Sequence, residues 1–134
     1  MEKYVIDAVK QSYGRTLVNA DLMKDFYEAF TDSHPDIAKM FAQTDLKKQR
    51  ETLKASISMA ILFPQDNLIA NSAMKRVSDS HSRSKLNINP ELYIHWLNAL
   101  VGVVSNSDPE FTPLLEQQWR EVLGHTVRYI QEGY

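Results

Sequence analysis

Residues 66–81 read DNLIANSAMKRVSDSH, and the fold turns on how this stretch is read. Leu68, Ile69, Ala73, Met74, Val77 and His81 recur at the three- and four-residue spacing of an amphipathic helix. Asp66 is its expected N-cap. A histidine closes this apolar series. His81 stands four residues after Val77 and seven after Met74, so the spacing places it on their inward face.

The same period continues in both directions. Upstream, Gln49, Leu53, Ile57, Ala60 and Ile61 share one face, from a cap at Thr44 or Asp45 to a stop at Pro64. Pro35 opens a short helix ending near Met40 and Phe41. Leu22, Met23, Phe26, Tyr27 and Phe30 form a stripe after a cap at Asn19 or Asp21, and Val5, Val9, Tyr13 and Leu17 form another. Downstream, Asn89-Pro90 and Asp108-Pro109 each read as an N-cap followed by proline at the first helical position. The stripes behind them run through Tyr93, Trp96, Leu97, Leu100, Val101 and Val104, then Leu115, Trp119, Val122, Leu123, Val127 and Ile130. No segment alternates as a strand does. The expected architecture is all-α, six long helices and one short one, in a single domain spanning residues 1–134.

Composition narrows the chemistry. With 43% hydrophobic and 24% charged residues, the chain has the balance of a globular domain. It has no cysteine, which excludes disulfides, thiolate catalysis and cysteine-held metal clusters. Its four glycines are dispersed, so no phosphate-cradling loop exists. A net charge of −2 gives no reason to expect nucleic acid, and Lys47, Lys48, Arg50 and Lys54 read as a solvated helix face. The longest apolar stretch, Ala99 to Val104, is far short of a membrane span, and Asp7 interrupts the N-terminal residues too early for a signal peptide. A cytoplasmic protein is expected.

The histidines divide by helical position. His95 and His125 lie off the apolar stripes, and His34 sits between helices, so all three are expected at the surface. His81 alone points inward. An inward histidine is more often a hydrogen-bonded core residue than a ligand, and no HExxH pair or second inward histidine supports zinc. One inward histidine without a carboxylate or thiolate beside it suits a cofactor needing a single protein ligand, of which haem is the obvious one. Opposite it, Tyr27 lies between Phe26 and Phe30, and Gln49 leads the stripe through Leu53. The bland alternatives are a core tyrosine with its hydroxyl at the surface and an exposed first-turn glutamine.

Three spacings together resemble the globin family, over essentially the whole chain. Phe26-Tyr27 followed by Ser33-His34-Pro35 and Phe41 resembles the second helix, proline corner and haem-packing phenylalanine of globins. Gln49-Arg50-Glu51-Thr52-Leu53 resembles the start of the distal helix in bacterial single-domain globins and in the globin domain of flavohaemoglobins. His81 follows Gln49 by 32 residues, as the proximal histidine does there.

The resemblance implies a globin fold around a haem b pocket, with His81 as the iron ligand. It implies Ser80 and the Val77 carbonyl as partners of the other ring nitrogen of His81, and Phe41 stacked on the porphyrin. Tyr27 and Gln49 become the polar distal pair, with Leu53 as their apolar neighbour. Arg83 and Lys85 become propionate partners, on charge and position. Tyr93 corresponds to a hydrogen-bonding partner of the proximal histidine, across an interval two residues longer than in flavohaemoglobins. The late glutamate that polarises this histidine in flavohaemoglobins has Glu132 as its nearest counterpart, and Tyr13 replaces the usual tryptophan of the first helix. The implied function is reversible binding of a diatomic gas, O2 foremost, with NO and CO as further ligands, and NO oxidation where a separate reductase supplies electrons. A haem-based gas or redox sensor, and a globin-fold module without haem, are the alternatives.

Overall fold

Helices form from all seven expected segments in the computed structural model, which describes residues 1–134. They are α1 (Lys3–Thr16), α2 (Leu22–Asp32), α3 (Pro35–Met40), α4 (Leu46–Leu62), α5 (Leu68–His81), α6 (Tyr93–Ser107) and α7 (Pro113–Glu132). Single 3₁₀ turns at Phe63–Gln65 and Pro90–Leu92 extend α4 and lead into α6. Only α3 is short, and there is no strand.

Side chains make most of the helix starts. Asp45 accepts from the amides of Lys47 and Lys48, Asn67 from Ala70, Asn89 from Glu91 and Thr112 from Leu115. Each pairs a backbone donor that the first turn leaves without a partner, worth about 1 kcal/mol. Prolines at the openings of α3 and α7 occupy a position where no amide is needed.

Three starts differ from the sequence reading. Asp66 does not cap α5; it adopts a left-handed conformation (φ 62°) and Asn67 caps instead. Asp21 precedes α2 without capping it, and the Asn19 carboxamide oxygen accepts from the Asp21 amide at 3.0 Å. Asp108-Pro109 does not open the last helix. The same two-residue signal recurs at Thr112-Pro113, and that pair starts α7. Asp108 is drawn inward, where Arg15 grips it through Nε at 2.7 Å and Nη2 at 2.9 Å.

On α5 the buried residues are Ala70, Met74 and Ser78, while Leu68 and Ile69 are 84% and 72% exposed. At about 100° per residue a stripe centred on Met74 and His81 leaves Leu68 on the opposite side of the helix. These two residues therefore do not belong to the inward face.

The core runs through Phe26, Ile57, Leu100, Trp119 and Leu123, all fully buried. Packing of α2 on α6 and of α1 on α7 forms most of it, and α5 lies against α4 and α7. Trp119 Nε1 donates to Ser12 Oγ at 2.9 Å, and Ser12 Oγ donates to Asp108 Oδ2 at 2.6 Å. This chain of polar contacts satisfies each group that burial has taken from water. The remaining space, between α2–α4 on one side and α5–α7 on the other, is the cavity. No helix is long and apolar enough to cross a membrane.

Candidate functional site

The cavity has a volume of about 590 Å³, and 17 of its 24 lining residues are hydrophobic. That is within the roughly 300–1,000 Å³ of sites that enclose an organic cofactor. No lysine, arginine, aspartate or glutamate lines it. Its ionisable groups are Tyr27, His81 and Tyr93 alone.

His81 is delivered by the last turn of α5, on the same face as Met74 and Val77. It is half-buried, and burial lowers its pKa, so the imidazole is held neutral. Its Nδ1 lies 2.8 Å from the hydroxyl of Tyr93, which enters from the first turn of α6. When Nδ1–H donates to that hydroxyl, Nε2 is left with a lone pair and no protein partner.

Across the cavity, α2 supplies Tyr27, only 3% exposed, with its ring edge-on to Phe26 at 5.1 Å and to Phe41 at 5.5 Å. Burial pushes the Tyr27 hydroxyl up to about 12, opposed by its contact with the Gln49 side chain. Tyr93 is raised to about 12 by burial as well. Both hydroxyls therefore keep their protons at neutral pH. Along α4, Gln49, Leu53, Ser56 and Ala60 face the cavity at helical spacing.

Tyr27, Phe41, Gln49, Leu53, Val77, His81 and Tyr93 thus meet around one space. Arg83 and Lys85 do not. Both are exposed and neither lines the cavity; the Arg83 guanidinium sits 4.7 Å above the Tyr134 ring. Nor does His81 use Ser80 or the Val77 carbonyl, because Ser80 Oγ donates to the Val77 carbonyl at 3.0 Å and Tyr93 takes the ring nitrogen. Glu132 is exposed and leaves the Tyr93 hydroxyl as the one hydrogen-bond partner of His81.

Several wall residues were not assigned from sequence. Trp96 and Phe30 lay on the apolar stripes and could have been found there. Leu86 and Ile88 stand on the irregular segment after α5, where no periodicity marks them. Thr126, also at the wall, donates to the Ala60 carbonyl at 2.7 Å.

The residues present fit haem. The space is large, apolar and uncharged, and it holds one neutral imidazole with its outer nitrogen free and its inner nitrogen fixed. No cysteine exists to attach the group covalently.

Comparison with known proteins agrees. The globin family model matches residues 24–130. A solved structure from Pseudomonas aeruginosa PAO1, described as structurally highly homologous to a human hemoglobin, superposes with a TM-score of 0.92 at 35% identity. The alignment covers 97% of this chain and 98% of that one. No curated protein matches the chain significantly in sequence. Seven helices around a histidine-bearing cavity, and a family match over most of its length, place the chain in the globin family, whose members bind haem and through it diatomic gases.

Proposed function

We propose that this globin holds one haem b through His81 Nε2 and binds a diatomic gas, oxygen foremost, under the Tyr27 hydroxyl and the Gln49 amide. One observation carries the reading. A neutral histidine with a free outer nitrogen shares an uncharged cavity with a buried tyrosine hydroxyl and a glutamine. Haem, held by His81, would supply an iron able to bind a diatomic gas.

The chain's own residues then do three things. Tyr93 holds the His81 ring in one orientation and, where it accepts from Nδ1–H, leaves Nε2 unprotonated. The apolar wall of Phe41, Leu53 and Val77 excludes water, which strengthens hydrogen bonds made inside. Tyr27 and Gln49 present donors to a gas that carries partial negative charge. A charge-assisted hydrogen bond is worth roughly 1.5–3 kcal/mol, or about one to two decades in dissociation constant. Oxygen polarises enough to gain this and carbon monoxide gains little, so the pair favours tight oxygen binding and slow release. Oxidation of nitric oxide fits the same donors, with electrons from a separate reductase, and the cytoplasm is where such a reductase would be met.

The test is an absorption spectrum of the purified protein, as isolated, reduced, and under carbon monoxide, beside His81→Ala. We expect one noncovalent haem per chain in the parent protein and its loss, or great weakening, in the variant. Undiminished haem retention with an unchanged spectrum in His81→Ala would show that another residue is the ligand.

A further inference from the structure

Outside the cavity, two histidines from distant parts of the chain stand ring against ring. His34 precedes Pro35 at the opening of α3, and His95 lies near the start of α6. Their ring centroids are 5.2 Å apart, with the planes inclined at 49°. Both are half-buried, and neither lines the cavity. Surface positions were expected for each; their pairing was not.

The spacing is informative. Two imidazoles bound to one tetrahedral cation at about 2.0–2.1 Å have ring centroids about 5.2 Å apart, taking roughly 1.1–1.2 Å from nitrogen to centroid. The observed separation of 5.2 Å equals that figure.

The nitrogens are available. His34 Nδ1 accepts from the Asp36 amide at 3.0 Å, while its Nε2 has no protein partner. Neither nitrogen of His95 is engaged in a protein hydrogen bond, and none of these unpaired atoms is sealed from solvent. The Asp36 carboxylate lies 4.0 Å from His34 Nδ1. When Nε2 takes a cation, Nδ1 must carry the proton and give up the amide contact, and the Asp36 carboxylate would have to close from 4.0 Å to receive its hydrogen bond. Both rings sit on ordered backbone: Pro35 fixes the chain after His34, and Leu97 near His95 is buried in the core.

We propose that His34 and His95 form a binding site for a late first-row divalent cation, Zn²⁺ foremost. Imidazole nitrogen suits this class of metal. Water completes the coordination, and Asp36 orients the His34 ring. Two protein ligands, against the four of a closed structural site, make this a reversible site of modest affinity. Its occupancy would tie α6 to the start of α3, the short helix that leads to Phe41 at the cavity wall.

The test is calorimetric titration of the purified protein with ZnCl2, with thermal melting alongside. We expect one site in the micromolar range and a melting temperature that rises by several degrees at saturation. His34→Asn keeps a side-chain oxygen able to cap α3 and removes the ligand, so the fold is retained. That variant and His95→Gln should each weaken Zn²⁺ by about tenfold or more, since even loss of an outer partner costs about 10–100-fold in metal affinity. His125→Gln, beside Phe63 on α7, should bind as the parent does. Zn²⁺ affinity unchanged in both His34→Asn and His95→Gln, or no binding below millimolar zinc in the parent, would overturn the proposal.

Discussion

Replacing Asp108 with asparagine should lower stability by about 2 kcal/mol at neutral pH, and the deficit should vanish in acid. The Asp108 side chain is wholly inaccessible, while the Arg15 side chain retains 27% exposure. Two guanidinium contacts, the Ser12 hydroxyl and the Glu110 amide at 2.9 Å all converge on one carboxylate. Arg15 and the other donors hold its pKa well below the ordinary 3.8, at about 2. A depression of that size corresponds to about 2 kcal/mol of stability from the ionised form. Losing one member of a fully buried pair costs about 3–5 kcal/mol, and the partial exposure of Arg15 accounts for a smaller figure here. The sign follows from the direction of the shift. The contribution is complete above the unfolded carboxylate value, falls to about half near pH 3, and is mostly gone at about pH 2. Urea denaturation followed by circular dichroism at several pH values, parent against Asp108→Asn, measures it. Acid loss of any group held by His81 affects both proteins alike and cancels in the difference. Neither Asp108, Arg15 nor Ser12 lines the cavity, so gas dissociation rates should be the same in parent and variant. A stability gap that stays constant from pH 7 to pH 2, or one near zero at pH 7, would refute the argument.

The cavity yields three further expectations. Tyr27→Phe keeps the ring and removes the donor; stopped-flow measurement should find oxygen dissociation faster by about tenfold or more and carbon monoxide dissociation changed far less. Equal acceleration of both gases would point to steric gating instead. Tyr93→Phe removes the partner of His81 Nδ1 and should speed haem transfer to an acceptor protein by about tenfold, with little change in helicity. Haem retention should persist below the ordinary histidine pKa of 6.5 and fail as acid protonates His81 through its lowered value, since burial already favours the neutral ring. Retention that is flat with pH until the helices melt would contradict this.

What could be read from sequence was whatever recurs every three or four residues. The stripes through Phe26 and Tyr27, through Gln49 and Leu53, and through Met74, Val77 and His81 each belong to one helix, and they account for much of the cavity wall. Contacts between helices carry no such signal. Asp108-Pro109 and Thr112-Pro113 are equally good helix starts by local rules, and Arg15, far away in the chain, decides between them by claiming the aspartate. Tyr93 reaches His81 only because the irregular segment after α5 turns α6 back on it, and His34 meets His95 only because α6 is laid beside elements formed much earlier in the chain.

Arg83 and Lys85 stand outside the cavity for a physical reason of the same kind. Position and charge make them candidates to face an anionic group at the rim, while deeper on this wall a cation would lose its hydration against an apolar lining. Arg83 instead lays its guanidinium on the exposed side against Tyr134, where it keeps both water and an aromatic face. The cavity is thereby left without a formal charge. Burial raises Tyr27 and Tyr93 and lowers His81, so all three remain neutral over the physiological range. On the proposed function, discrimination among gases in such a space would rest on the dipoles of one hydroxyl and one amide. Their effect is felt only by a ligand that develops charge of its own, which is why Tyr27→Phe must separate oxygen from carbon monoxide.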